Sequence, residues 1–364
     1  MSPDSRFRPD KFTSSIPDFV PASPAGVIAV EHVLEHYSTQ IAPLTSLWQI
    51  GGVSVEDSST IAANASNFKL ETTSGEYILK RNLLTANVSS LDRQLALLEW
   101  LGDRELPVPA LVRTNIGEMT ASNDNDRWYL AKFVPGNYFS GHEDEISSVA
   151  NEIGRVISTL AERPAELSLH RTRPDYFTDQ EHQTFLEVKN LRSEWFSVFG
   201  HENAMLLKEN WNLFSGCYSD LVKHSGVLNN FRKSTSHIDL HPHNILMKSD
   251  KLSAVLDFDA CYEIPIELSI GFATAKLMKR VGTRTKQENS NLSITQCADR
   301  FLEILGRHLP EAVLDRQALK QFARAETMRR LLSMCNRRIL RQKSVWNDMS
   351  VHLSGLGEID EIFR

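Results

Sequence analysis

The stretch HIDLHPHN, residues 237–244, places three histidines, an aspartate and an asparagine within eight residues. Its side chains of zinc-binding type are those of His237, Asp239, His241 and His243. A zinc site needs three or four such ligands to converge at about 2.0–2.3 Å. Pro242 and the alternating spacing favour an extended loop, which spreads the side chains apart. The stretch alone leaves a zinc-dependent hydrolase and another kind of active site as alternatives.

A second metal-like motif lies at residues 32–36, where HVLEH matches the HxxEH pattern of inverted zinc proteases. Two histidines four residues apart face the same side of a helix. No downstream element clearly supplies a further ligand, so a solvated helix face is the favoured interpretation of this motif.

The segment AVLDFDA, residues 254–260, adds two carboxylates at the end of an apolar strand. Asn244 lies five residues after Asp239, and Asp257 lies thirteen residues after Asn244. A polar hairpin whose carboxylates face water would account for one such segment. Two segments in this order and spacing favour phosphoryl transfer, which depends on positioning and charge neutralisation more than on covalent chemistry.

The order HxDxxxxN, then an apolar strand, then DFD, is similar to the catalytic loop and metal-binding aspartate of protein kinases. The surrounding residues, HIDLHPHNILMK and LDFDA, resemble more closely the aminoglycoside phosphotransferase and choline kinase branch of small-molecule kinases. The resemblance is strong over residues 236–272, weaker over 44–136 and general elsewhere. It implies a two-lobed kinase-like fold, ATP (or GTP) and Mg²⁺ as cofactors, and a small-molecule hydroxyl as acceptor.

The resemblance implies a role for each polar side chain that carries it. Asp239 is implied to accept the proton of the acceptor hydroxyl or to orient that hydroxyl. Asn244 and Asp257 are implied to supply oxygen ligands to Mg²⁺, a hard cation. Asp259 is implied to assist a second metal or to shape the loop.

Supporting roles follow for three nearby residues. His237 and His241 are implied to brace the loop, whereas His243 stands where the branch often has glycine and receives no role. Glu267 stands where the branch often has an aspartate at a helix start. Glu267 is expected to cap that helix or to brace the catalytic loop; a simple acid favoured by the helix dipole is the alternative.

The nucleotide side is expected on the strand GEYILKRN, residues 75–82, where Lys80 takes the place of the phosphate-binding lysine. Arg81 should face the opposite side of the sheet, because side chains alternate along a strand. Backbone amides and small polar side chains of the preceding hairpin are expected to cradle the phosphates. These residues are Gly51, Gly52, Ser66 and Asn67.

One position departs from the kinase pattern. A glutamate normally holds the lysine, but the corresponding position here is Gln94, and Glu99 lies nearer the helix end. The sequence leaves open which of the two supports Lys80. The departure also keeps an alternative function open, that of a catalytically weak module that binds a nucleotide or ligand.

Strand-like runs fill the first third of the chain and helical periodicity the remainder, which predicts an α+β fold with two unequal lobes. We expect a mobile tail over residues 1–25 and a nucleotide-binding N-lobe over 26–134. The C-lobe, over 135–364, should hold the catalytic loop and the acceptor pocket. Its clearest predicted helices cover residues 147–162 and 317–343.

The composition of the chain limits the kinds of partner and the compartment that we expect for it. The chain has 364 residues, a formal net charge of −6, 41% apolar residues and 24% charged residues, as in an ordinary soluble globular protein. The negative charge argues against a nucleic-acid partner, and no segment has the ~20 apolar residues of a membrane span. The first twelve residues lack the apolar core of a secretory signal. Four scattered cysteines without a CxxC pair predict reduced thiols in a cytoplasmic protein.

The sequence says least about the identity of the acceptor molecule. Residues 320–343 contain eight basic residues and one acid, Glu326. We interpret them as an amphipathic helix with a basic outer face, with an anionic substrate or partner as the alternative. Trp195, Trp211 and Tyr218 precede the catalytic loop, where the resemblance implies an acceptor pocket, although core packing is the default for such rings. Sugars, amino alcohols such as homoserine or choline, and aminoglycosides all stay open.

Overall fold

The computed structural model describes residues 46–48, 50, 59–60, 67–83, 88–123, 126–173, 175–288, 292–342 and 349–364. Several predicted features lie outside these residues. They are the tail at 1–25, the HxxEH motif at 32–36, and Gly51, Gly52 and Ser66 of the expected phosphate-binding hairpin.

The first part of the chain forms an antiparallel sheet of six strands in the order β1-β2-β3-β6-β4, with β5 also paired to β6. The strands are β1 (Ser59–Thr60), β2 (Asn67–Thr72), β3 (Gly75–Leu83), β4 (Leu111–Val112), β5 (Ala121–Asn123) and β6 (Asp126–Lys132). The hairpin between β2 and β3 turns at residues 73–74. Gly75 has a φ of +134°, a conformation that glycine adopts without steric cost.

The two faces of this sheet bury different residues. One face holds a core of Trp48, Ile50, Phe68, Leu70, Tyr77, Leu79, Ala121, Trp128 and Leu130. The other face packs against helix α1 (Val88–Gly102) through Leu91, Leu95 and Tyr129. Because side chains alternate along β3, Leu79 enters the core and Lys80 projects from the opposite face.

The rest of the chain is mainly helical. Its helices are α2 (Glu143–Ala161), α3 (Asp179–Asn190), α4 (Trp195–Phe199), α5 (His201–Glu209), α6 (Trp211–Asn229), α7 (Ile266–Glu288), α8 (Ile294–Gly306), α9 (Arg316–Ile339) and α10 (Ser350–Ile362). Trp195 and Tyr218 are buried in an aromatic cluster with Phe185, whose ring stacks on that of Tyr218 at 3.8 Å. These rings are therefore core residues. No described helix is long and apolar enough to cross a membrane.

Two small antiparallel sheets frame the HIDLHPHN stretch. Strands β8 (Lys233–His237) and β11 (Cys261–Pro265) pair with each other, and β9 (Ile245–Lys248) lies between β7 (Asn137–Tyr138) and β10 (Lys251–Val255). The stretch begins where β8 ends and returns through a short 3₁₀ helix, Pro242–Asn244, into β9. Both ends of the loop are thus fixed by strands.

Helices α7 and α9 pack closely against each other. Gly271 of α7 allows this contact, because a Cβ atom there would overlap the carbonyl oxygen of Leu319 on α9. The following residue, Phe272, is fully buried, and the guanidinium of Arg330 on α9 lies 4.4 Å from the centre of its ring. This packing brings the second half of α9 next to the HIDLHPHN stretch.

Candidate active site

His237 ties the start of the loop to the strand that precedes the DFD segment. Its Nδ1 accepts a hydrogen bond from the backbone N–H of Asp239 at 3.1 Å. Its Nε2 lies 2.9 Å from the carbonyl oxygen of Leu256, so Nε2 carries the proton and donates. The ring is fully buried, and this burial lowers the pKa of His237. A neutral His237 therefore holds the two segments together.

Asn244 and His241 fix the other end of the loop. The amide of Asn244 donates from Nδ2 to the backbone carbonyl of Asp239 at 2.8 Å, which leaves its Oδ1 atom as an acceptor. Nδ1 of His241 accepts from the backbone N–H of His243 at 3.2 Å, while its Nε2 lies 3.5 Å from Oδ2 of Asp239. His243, which received no role, packs its ring edge-on against Tyr138.

The DFD segment brings its two carboxylates to Lys80. Nζ of Lys80 lies 2.8 Å from Oδ1 of Asp257 and 3.3 Å from Oδ2 of Asp259. Asp257 has a left-handed backbone, with φ +64° and ψ +49°, which is uncommon for a residue with a side chain. Such conformations concentrate at functional sites. Lys80 and the two aspartates of the DFD segment, from two separate parts of the sequence, thus meet in one place.

The electrostatics of this contact favour the charged forms of Lys80 and Asp257. Burial disfavours the charged amine, but the neighbouring Tyr129 hydroxyl and the two carboxylates outweigh it and raise the pKa of Lys80 well above its usual value. Burial also opposes the charge of Asp257, yet Lys80 lowers the pKa of that carboxyl. Asn67, expected near the phosphates, lies directly across the β2–β3 hairpin from Lys80. Its buried Oδ1 accepts no hydrogen bond within the described residues.

Gln94 does not bond to Lys80 itself. Its Nε2 donates to Oδ1 of Asp259, the carboxylate whose other oxygen faces the lysine. Glu99 is turned away and forms a bidentate ion pair with Arg113, at 2.9 and 2.6 Å. Of these two side chains, Gln94 reaches the charged groups beside Lys80, through Asp259. Glu267 lies in the first turn of α7, and burial raises its pKa.

Arg330, on α9, joins the site from a distant part of the sequence. Its Nη1 lies 2.9 Å from Oδ1 of Asp239, in an ion pair. Burial opposes the charge of Asp239, but Arg330 outweighs it and holds the pKa of this carboxyl well below its usual value. The Oδ1 atom is buried against this guanidinium. Arg330 therefore holds one side of the Asp239 carboxylate.

A fully buried glutamate anchors this arginine. Glu326 is 0% exposed, and its Oε1 accepts a hydrogen bond from Nε of Arg330 at 2.8 Å. Its Oε2 accepts from Arg173 and, at 3.2 Å, from Nε of Arg329. Burial would raise the pKa of Glu326, but the three guanidinium groups lower it far below its usual value. The expectation of a basic outer face on this helix is wrong for Arg329 and Arg330, because a buried carboxylate draws both inward.

The comparison with protein families gives the class of the chain. The sequence profile of the phosphotransferase enzyme family, APH, matches residues 58–267, which is more than half of the chain. The chain belongs to this family. The match confirms the resemblance drawn from HIDLHPHN and DFD. A comparison of this phosphotransferase with curated protein sequences gave no match.

Solved structures confirm the fold of the phosphotransferase. An amicoumacin kinase in complex with AMP-PNP and Ca²⁺ is similar at 14% identity and a TM-score of 0.61, over 91% of this chain and 96% of that one. A spectinomycin phosphotransferase in complex with ADP and spectinomycin is similar at 13% identity and 0.60, over 90% and 94%. A microcompartment-associated aminopropanol kinase is similar at 14% identity and a TM-score of 0.55, over 90% of this chain and 99% of that one. These similarities confirm the predicted α+β, two-lobed kinase-like fold, and the family match confirms a phosphotransferase.

The residues of the phosphotransferase suit a hard cation better than zinc. Among the described residues, no group of three or more His, Cys, Asp or Glu side chains could hold a metal ion. The ring nitrogens of His237 and His241 already contact other groups of the protein. Oδ1 of Asn244 and the half-exposed carboxylate of Asp257 are oxygen donors of the kind that Mg²⁺ takes together with substrate phosphates.

Proposed function

We propose that this phosphotransferase transfers the γ-phosphate of Mg²⁺-bound ATP to a hydroxyl of a small molecule. One observation carries the proposal: Lys80, Asp257 and Asp259 meet in one charged cluster, and His237 ties the Asp257 strand to the loop that holds Asp239. Phosphoryl transfer is achieved by positioning and electrostatic stabilisation, and this cluster supplies both.

Each side chain has a distinct part in the proposed reaction. Lys80 would bind phosphate oxygens, with Asn67 nearby on the paired strand. Asn244 and Asp257 would hold Mg²⁺, with Asp259 assisting, and the cation would offset the negative charge that grows on the phosphates. Asp239 would accept a hydrogen bond from the acceptor hydroxyl, while Arg330 holds its carboxylate through Oδ1. Its lowered pKa suits orientation of the hydroxyl and late acceptance of its proton.

We also propose the organisation predicted from the sequence, with a nucleotide-binding N-lobe over 26–134 and a C-lobe over 135–364. A cytoplasmic location is supported by four cysteines that form no disulfide, three of them buried. GTP in place of ATP stays compatible with the same residues.

The alternative of a catalytically weak binding module loses its main support. It rested on Gln94 standing where kinases have a glutamate. The structure supplies a different carboxylate, that of Asp259, 3.3 Å from Lys80. The lysine is thus held by negative charge even though α1 provides none at this position.

The test is the substitution Asp239→Asn, assayed by acceptor-dependent ADP release and by titration with Mg²⁺–AMP-PNP. We expect transfer to fall by at least about 100-fold, with AMP-PNP affinity kept within a few-fold. Asp250→Asn is the matched control, because Asp250 lies in the exposed turn between β9 and β10. Absence of Mg²⁺-dependent nucleotide binding by the wild type would refute the kinase proposal.

A further inference from the structure

The arginine cluster around Glu326 carries more positive charge than its carboxylate requires. A buried carboxylate needs one good counter-charge, yet Glu326 contacts three guanidinium groups, those of Arg173, Arg329 and Arg330. Asp239 is the second carboxylate in direct contact with the cluster. Among the direct contacts, three guanidinium groups meet two carboxylates, and the more distant Glu181 also raises the pKa of Arg329. The nearby Glu181 is outside ion-pair distance and accepts from the backbone N–H of Phe177.

This excess charge is accessible, whereas its anchor is not. The side chains of Arg173, Arg329 and Arg330 are 16%, 23% and 26% exposed, while that of Glu326 is 0% exposed. Arg329 contacts Glu326 through Nε only. Because the guanidinium is a rigid planar fork, the edge formed by its Nη1 and Nη2 atoms is then a different edge from the one that faces the carboxylate. Such an edge binds a carboxylate or phosphate group through two parallel hydrogen bonds.

The cluster is also joined to the reacting end of the site. Arg330 contacts Glu326 through Nε and Asp239 through Nη1, at 2.8 and 2.9 Å. An acceptor whose hydroxyl lies at Asp239 therefore reaches the cluster across one guanidinium. No carboxylate in the cluster remains for an ammonium group, because both are already paired with arginine.

We propose that the acceptor carries an oxyanion, a carboxylate or a phosphate, beside the hydroxyl that is phosphorylated, and that Arg329 binds this group. The proposal rests on the phosphotransferase function proposed above and specifies the acceptor of that same site. It separates this chain from a kinase for polycationic acceptors, since positive groups on the acceptor would meet positive guanidinium groups.

The first experiment compares acceptors that differ only in the anion: glycerol with glycerate and glycerol 3-phosphate, and 3-amino-1-propanol with homoserine. ADP release is measured for the wild type, Arg329→Gln and Arg337→Gln. Arg337 lies on the same helix and donates to the carbonyl of Ser333. In each pair we expect a kcat/KM about tenfold or more higher for the acceptor that carries the carboxylate or phosphate group. Arg329→Gln should abolish this preference through KM, and Arg337→Gln should keep it.

The second experiment does not depend on the acceptor panel. Thermal unfolding is followed with saturating Mg²⁺–AMP-PNP while inorganic phosphate is added. We expect a saturable rise in Tm for the wild type and Arg337→Gln, and none for Arg329→Gln. Arg329→Lys keeps the charge without the planar fork, so it should retain the fold with a weaker rise.

The proposal is overturned if the wild type prefers the uncharged or cationic member of each pair. It is equally overturned if phosphate stabilises Arg329→Gln as much as the wild type. Either result leaves the phosphotransferase function intact as long as Mg²⁺–AMP-PNP binds. Loss of nucleotide binding itself would instead refute the proposed function.

Discussion

Gln94 donates a hydrogen bond to Asp259, and Asp259 in turn faces the amine of Lys80 at 3.3 Å. The negative charge that holds the lysine therefore comes from the DFD segment. Helix α1 contributes a neutral amide, which orients the Asp259 carboxylate. In protein kinases the helix itself provides a glutamate. Because Asp259 supplies the charge and Gln94 the neutral amide, the effect of a glutamate at position 94 can be predicted.

Gln94→Glu is expected to lower kcat/KM by about tenfold or more, because it places a carboxylate against Asp259 and disfavours the charge of both groups. ADP release measures the effect. Gln183→Glu is the matched control, since Gln183 also donates to a carboxylate, that of Glu187, but on an exposed helix face. An increase in activity for Gln94→Glu would show that the new glutamate pairs with Lys80 directly.

Lys80 and Arg81 are neighbours on β3 that face opposite sides of the sheet, so their substitutions should have different effects. Lys80→Met removes the amine that contacts Asp257 and should lower kcat/KM by at least about 100-fold. Arg81→Met removes the ion pair to the buried Asp126 and should lower the unfolding temperature. Activity per folded molecule of Arg81→Met should stay within about twofold. The activity assay and thermal unfolding of the same samples distinguish the two variants. Loss of activity in Arg81→Met and loss of stability in Lys80→Met would mean that the strand register is wrong.

Arg330→Met should shift the pH profile of kcat. Arg330 is the main group that lowers the pKa of Asp239, so its removal raises this pKa. Asp239 must be ionised to accept the hydroxyl proton, and activity is lost as the pH falls through its pKa. The acidic limb of the profile should therefore move to higher pH in the variant. Initial rates at saturating acceptor, with Arg337→Met as the control, measure the shift, and superimposable limbs would contradict it.

Glu326→Gln should destabilise the fold, because three guanidinium groups lose the charge that compensates them. We expect a loss of about 3 kcal/mol in the free energy of unfolding near neutral pH. Glu303→Gln, which breaks an exposed pair with Arg307, should have little effect.

The effect of Glu326→Gln should also depend on pH. The folded-state pKa of Glu326 is lowered relative to the unfolded chain. Its stabilising contribution is therefore present above the usual glutamate pKa of about 4.3 and is lost as the pH falls further. Chemical denaturation at several pH values should show the difference from the wild type shrinking on acidification. A constant difference would mean that packing, not charge, stabilises the cluster.

The sequence was most informative where function and local geometry coincide. Asp239, Asn244 and Asp257 lie within one loop and one hairpin, so their spacing along the chain largely determines their arrangement. Lys80 could be assigned because a strand alternates with a period of two, and the apolar neighbour Leu79 marks the core side. The side-chain partner of Gln94 lies in the DFD segment, and no local pattern identifies it.

Arg330 could not be found in this way. It contacts Asp239 from a helix far along the chain, and helical periodicity alone does not distinguish a basic outer face from an inward ion-pair cluster. One signal was available: Glu326 is the single acid in residues 320–343, and Arg329 and Arg330 follow it by three and four residues, on the same helix face. Only tertiary packing shows that this face is buried.

The glycine at position 271 gives the acceptor side of the cleft an adjustable geometry. Its hydrogen atom lies where any side chain would push α9 away from α7, and α9 carries Arg330, which contacts Asp239, together with Arg329. The separation between the reacting carboxylate and the anchoring guanidinium groups thus depends on a residue that touches neither substrate. Acceptor preference in this chain can consequently evolve, or be engineered, through helix spacing while every residue that lines the cleft stays the same.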